Sequence, residues 1–182
     1  MQNLTRLLGG AMVALAVGVA VPAFAHGYKL GDLAIGHPWA RATPKGAKVG
    51  GGYLTVTNSG KAADRLTGAS LSDADRVEIH KMSMEGGVMK MRPLPNGIEI
   101  KPGGTVKLSP EGNHLMFIGL KAPLKQGDMV KGSLTFQKAG SIDVEFKVDS
   151  VGAMAPTHGD HMGGDKMGGM KMQNMDKMHG SH

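Results

Sequence analysis

Along most of the chain, apolar and polar residues alternate one for one, the period of strands with a single buried face. The runs are short and recur about every ten residues. They are Tyr53-Leu54-Thr55-Val56-Thr57, Arg76-Val77-Glu78-Ile79-His80, Gly87-Val88-Met89-Lys90-Met91, Gly97-Ile98-Glu99-Ile100, Thr105-Val106-Lys107-Leu108, His114-Leu115-Met116-Phe117-Ile118, Gly132-Ser133-Leu134-Thr135-Phe136 and Ile142-Asp143-Val144-Glu145-Phe146-Lys147-Val148. Turn residues separate them, including Asn58-Ser59-Gly60, Pro95-Asn96-Gly97, Pro102-Gly103-Gly104 and Pro110-Glu111-Gly112. Eight or nine such strands, with no amphipathic helix among them, predict an all-β fold, a β-sandwich, and exclude a parallel βαβ layout.

Both ends depart from this pattern. Residues 1–25 start weakly basic at Arg6, run apolar from Leu7 to Val21 and close on Ala23-Phe24-Ala25, the small-x-small form of a secretory cleavage site. A membrane anchor is the alternative for a run of this length. Pro22 and the cleavage pattern favour export and removal, which predicts a periplasmic chain that starts at His26 and has no membrane span. From Ala153 onward the composition changes again, to Met154, Met162, Met167, Met170, Met172, Met175 and Met178 with His158, His161, His179 and His182. Glycine pairs at Gly163-Gly164 and Gly168-Gly169 oppose a helix, and no branched aliphatic or aromatic residue is there to build a core, so a disordered tail is expected. The predicted organisation is a signal peptide over 1–25, a folded domain over 26–152 and a Met/His-rich tail over 153–182.

The composition sharpens what the domain is for. The 182 residues include no Cys, 15 Met and 8 His. Without cysteine there are no disulfides, thiolate zinc sites, iron–sulfur clusters or blue-copper centres, which need a Cys sulfur. Methionine supplies all the sulfur, in excess of what cores usually recruit. The net charge of +6 sits on scattered Lys and Arg that are not interleaved with aromatics, which argues against nucleic-acid binding and for a solvated surface facing an acidic partner.

Strand parity brings the soft ligands together. Side chains two apart on a strand share a face at about 6.6–6.8 Å. His114 and Met116 form such a pair, Met89 and Met91 another, and His80, Met82 and Met84 share one parity while Val77 and Ile79 take the other. Val77 and Ile79 suit the core, which turns His80 away from it toward a rim or loop. Thioether sulfur is a soft, neutral ligand that favours Cu(I), whereas zinc prefers Cys, His or carboxylate and hard ions prefer oxygen. Met and His also escape the thiol oxidation that an oxidising compartment imposes on Cys. Core filling is the competing role for Met on a strand.

The chain resembles the PCu(A)C family of periplasmic copper chaperones, whose pattern is a His, ten residues, a Met, about twenty-one residues and His-x-Met. Here His80 is followed after ten residues by Met91 and, after twenty-two more, by His114-Leu115-Met116. The one-residue difference falls in a turn-rich stretch. The resemblance extends through Pro38-Trp39-Ala40-Arg41-Ala42-Thr43-Pro44, Gly52-Tyr53-Leu54, Asp64-Arg65-Leu66 and Pro123-Leu124-Lys125-Gln126-Gly127-Asp128, covering roughly residues 30–150.

This resemblance implies a cupredoxin-like Greek-key sandwich binding one Cu(I) through His80, Met91, His114 and Met116, and the chain is expected to be a monomer. Met82, Met84 and Met89 compete for the thioether positions. Trp39 is expected as a buried anchor and Arg41 as partner to a carboxylate such as Asp64. Four neutral ligands with no acid–base pair or activated nucleophile around them suit exchange rather than turnover. The recipient implied is cytochrome oxidase subunit II, directly or with a Sco-type thiol protein. The tail's thioethers suit Cu(I) and its imidazoles Cu(II), so it is expected to gather copper in either state and feed the domain. A periplasmic copper storage or resistance protein is the main alternative. An electron carrier would need a Cys ligand, and a copper oxygenase would need His26 paired with a second His such as His37.

Overall fold

The computed structural model describes residues 27–157. The leader 1–25, His26 and the tail ligands His158, His161, Met162, Met167, Met170, Met172, Met175, Met178, His179 and His182 lie outside the described residues. Within them the chain forms eleven strands: β1 (Gly27–Leu30), β2 (Leu33–Arg41), β3 (Val49–Asn58), β4 (Asp64–Leu71), β5 (Arg76–Glu85), β6 (Val88–Pro93), β7 (Ile98–Ile100), β8 (Thr105–Leu108), β9 (Asn113–Ile118), β10 (Met129–Phe136) and β11 (Gly140–Asp149). The all-β expectation holds, and no helix is present among the described residues.

Hydrogen bonds join the strands in one path, β6-β5-β9-β3-β2-β11-β10-β4-β7, with β1 added to β2 and β8 to β3. All pairings are antiparallel except β11 with β2, so the sheet is mixed. The open sheet folds over a single core. Phe117 of β9 meets Phe146 of β11 edge-on, with centroids 5.6 Å apart, although two strands separate β9 from β11 in the ladder. Ile79, Leu115 and Phe117 from one layer thus pack with Leu66, Leu134 and Phe146 from the other. The Phe117 ring reaches inward because β3 carries Gly52 beneath it; a Cβ at position 52 would sit within the ring.

Three strands go beyond the alternating runs. β1 is a short edge strand on β2. In β2 the register slips between Gly36 and Trp39, where His37 takes φ 49°, so a bulge breaks the alternation that marks a strand in sequence. β4 is built largely from small or polar residues, Thr67-Gly68-Ala69-Ser70, whose strand character comes from pairing with β10. β2 and β4 each supply buried core residues, Leu33, Ile35 and Ala40 from the one and Leu66 and Leu71 from the other, and neither carries a His–Met cluster.

Candidate metal centre

The centre lies on the outward face of β5, β6 and β9. In the β5–β9 register His80 stands directly opposite His114 and Glu78 opposite Met116, and in the β5–β6 register Met82 stands opposite Met91. Directly opposed residues share a face with closely spaced Cβ atoms. The expected parity is therefore observed: Ile79 is buried in the core, Val77 packs against it, and His80, Met82, Met91, His114 and Met116 all leave by the other side.

The face is deeper than a rim. His80 is 8% exposed and His114 6%, while Met91 is 48% exposed. The loop before β9 contributes to this cover: Met82 N–H donates to the Gly112 carbonyl, and Pro110 lines a cleft of about 270 Å³ together with Met82, Met91, His114 and Met116. The floor of this cleft is the glycine run of β3. Gly51 pairs with Met116, and a Cβ there would run into the Tyr53 hydroxyl, so glycine lets Tyr53 lie beside the methionines. A larger cleft of about 540 Å³, lined by Tyr28, Ser70, Ser133 and Asp143 among others, holds neither His nor Met.

Both imidazoles are set to offer one nitrogen. Nδ1–H of His114 donates to the Gly112 carbonyl at 3.1 Å, which leaves Nε2 with the free lone pair. Burial lowers the His114 pKa; the Gly112 bond opposes this and the nearby His80 adds to it, so the ring resists protonation. Nε2–H of His80 donates to Glu78 at 2.9 Å, leaving Nδ1 as the lone-pair atom. That Nδ1 is buried and has no hydrogen-bond partner among the described residues. An orphaned buried polar atom costs about 1–3 kcal/mol, which a metal bond would offset. The ring centroids are 5.9 Å apart, within the span of two imidazoles on one ion given metal–nitrogen bonds of about 2 Å.

The donor set discriminates between metals. Among the described residues no three His, Cys, Asp or Glu side chains converge, so neither an oxygen cage nor a three-point zinc site is formed there. Two imidazoles flanked by thioethers suit a soft monovalent ion.

Around these side chains Trp39 and Arg41 take different places. Trp39 is buried and stacks on Tyr53 at 4.4 Å, as expected of an anchor. Arg41 does not pair with Asp64. Asp64 accepts backbone N–H bonds from Arg65, Lys138 and Ala139 instead, and Arg41 lines the His–Met cleft, 5.9 Å over the Tyr53 ring. Arg41 Nε–H donates to the Ala153 carbonyl at 2.7 Å and its Nη2 to Met154 Sδ at 2.8 Å. The parallel pairing of β11 with β2, which sets Asp149 beside Arg41, brings this about and is invisible in local sequence. Thr157 is bonded to buried Asp149, so residues beyond 152 remain held against the domain as far as Thr157. Glu78 was missed as a site residue, although its spacing to His80, two apart on a strand, places it within reach.

Eleven strands around one core with a His–Met cleft on the outer face of β5, β6 and β9 define a PCuAC-type domain. The chain belongs to the LpqE-like family, described as "Putative lipoprotein LpqE-like", whose model matches residues 33–148. It is 30% identical over 156 residues to "Putative lipoprotein Lxx21020" of Leifsonia xyli subsp. xyli (strain CTCB07), covering 81% of this chain and 93% of that one. Its fold is similar to the copper-bound PCuAC domain from PmoF2 (27% identity, TM-score 0.59, 69% of this chain and 98% of the other). It is also similar to CuI-DR1885 from Deinococcus radiodurans (27% identity, TM-score 0.53, 70% and 83%).

Proposed function

We propose that the protein is a periplasmic copper chaperone that holds Cu(I) through His80, Met91, His114 and Met116 and passes it to a recipient. The observation that carries this reading is the pair of buried imidazoles, His80 with an orphaned Nδ1 and His114 with Nε2 free, beside a cleft lined by thioethers. The copper named in the two similar solved structures supports the choice of metal. Met82 covers the cleft beside Met91 and can replace it as a thioether donor.

The ligands are neutral and one of them, Met91, is half exposed, so an incoming thiolate or imidazole can displace it and take the ion without unfolding the domain. The recipient is cytochrome oxidase subunit II or a Sco-type thiol protein, met by a monomer of this chain. The leader pattern over 1–25 and relatives named as lipoproteins support export. The tail 153–182 gathers Cu(I) on its methionines and Cu(II) on its histidines, raising the local concentration of copper near the domain. That content also favours a second reading, copper storage or resistance.

Anaerobic Cu(I) titration against a competing chelator tests the assignment. The expected result is one tight equivalent that weakens strongly in both His114→Ala and Met116→Ala. A tight equivalent surviving both substitutions overturns the ligand set. A strain lacking the protein that assembles its oxidase normally but is copper-sensitive favours storage over delivery.

A further inference from the structure

The hairpin of β5 and β6 has two faces of opposite chemistry. On one face the opposed pairs are Lys81–Arg92, Ser83–Lys90 and Glu85–Val88; on the other they are His80–Pro93, Met82–Met91 and Met84–Met89. Every position of the second face except Pro93 is His or Met. Met82 and Met91 already belong to the cleft. Met84 and Met89 lie one pair further out, near the turn, and neither lines it.

Apolar packing does not account for that outer pair. Met84 is 64% exposed and Met89 46%, and β6 is exposed along its whole length. The hairpin holds its shape by other means. Gly86 and Gly87 supply the two positive φ values, 59° and 78°, of a tight turn, and Glu85 forms ion pairs with Lys90 at 3.2 Å and Arg92 at 2.8 Å on the opposite face. Two thioethers are thus kept side by side in solvent on a fixed frame.

The geometry points to Met84 and Met89 as a second, outer Cu(I) site of low affinity, through which the ion enters and leaves the His80–His114 cleft. Directly opposed residues bring two Met sulfurs within reach of one ion, and two thioethers suit Cu(I). The step from Met84–Met89 to Met82–Met91 is one strand repeat of two residues, about 6.6–6.8 Å. An ion entering at Met84–Met89 has the Met82–Met91 pair next along the face, and beyond that pair lies His80. This inference rests on the cleft being the tight Cu(I) site.

Methyl-labelled methionine NMR of the full chain under anaerobic Cu(I) titration tests it, because each methionine is read separately, including those of the tail. With the first equivalent, the Met116 and Met91 methyls and the His114 ring should shift. Beyond one equivalent, Met84 and Met89 should shift together, and in Met84→Leu the Met89 response should need at least tenfold more free Cu(I). Leucine retains the apolar bulk, and unchanged apo spectra of His80 and His114 verify the fold. Transfer of the first equivalent to a chelator should slow severalfold in the Met84→Leu/Met89→Leu double variant at unchanged equilibrium affinity. Met84 and Met89 methyls that stay fixed beyond one equivalent, or a transfer rate equal to that of the parent, overturn the outer site. Failure of the tight site reads differently: His114 and Met116 would not respond to the first equivalent, whatever the outer pair does.

Discussion

Glu78 is placed to set how firmly His80 holds the proposed Cu(I). Its Oε2 accepts the Nε2–H of His80 at 2.9 Å, and its Oε1 accepts Arg76 Nε–H at the same distance. The His80 bond, and then the Arg76 bond, hold the Glu78 carboxyl below its ordinary range, so it is ionised at neutral pH. A carboxylate behind a ligating imidazole fixes its tautomer and raises its basicity, and losing such a partner typically weakens metal affinity 10–100-fold. Two features put Glu78→Gln near the lower end, about tenfold. The amide oxygen can still accept the Nε2–H, so orientation survives, and Arg76 already draws on part of the carboxylate's charge. The reverse change follows from the same geometry. Arg76→Gln leaves Glu78 to His80 alone and should tighten Cu(I) binding by about two- to fivefold, the scale of an exposed ion pair. Both are read by anaerobic chelator competition at neutral pH. Affinity unchanged within twofold in Glu78→Gln, or a loss in Arg76→Gln, refutes the role given to this carboxylate.

Other substitutions probe the frame. Phe117→Ala removes a fully buried ring that joins the two layers and should cost about 3–5 kcal/mol, or about 2 M in urea midpoint at a typical slope; a loss under about 1 kcal/mol contradicts the packing described. Gly51→Ala drives a Cβ into the Tyr53 hydroxyl and should disturb the Trp39–Tyr53 stack, red-shifting emission of the single Trp and weakening Cu(I) binding severalfold, whereas unchanged emission would show that the glycine is not needed there. Burial holds the folded pKa of His114 below the ordinary histidine value of about 6.5, so the unfolded chain takes the proton first. Its contribution to apo stability is therefore present above about pH 6.5 and lost as pH falls toward the folded value. His114→Phe should flatten the decline in urea midpoint between about pH 7.5 and 5.5, and an equally steep decline in the variant would contradict the assignment.

The ligand face was legible in the sequence because strand parity is a strict rule: once Val77 and Ile79 are assigned inward, His80, Met82 and Met84 must leave by the other side. What parity cannot give is the identity of the neighbouring strand. The cross-strand pairing of His80 with His114, separated by the whole of β6, β7 and β8, is a property of the ladder. For the same reason Arg41 was matched to Asp64, two lone charges in sequence, when β11 lays Asp149 and the chain after it beside Arg41. β2 and β4 lack the local alternation of a strand for different reasons, a bulge at His37 in one and a run of small residues in the other, and each is a strand by virtue of its partners. Burial of His80 is likewise tertiary, since β9 sets His114 directly opposite it and the loop before β9 bonds the same strand, Met82 N–H donating to the Gly112 carbonyl.

X-ray absorption at the copper edge, on the full chain loaded anaerobically with one equivalent of Cu(I), tests the central claim most directly. Two nitrogen and two sulfur scatterers are expected, with the imidazole multiple-scattering pattern lost by half in His114→Ala and the sulfur shell reduced in Met116→Ala. A first equivalent bound by sulfur alone, as a tail of methionines would hold it, or a shell unchanged by either substitution, would contradict it.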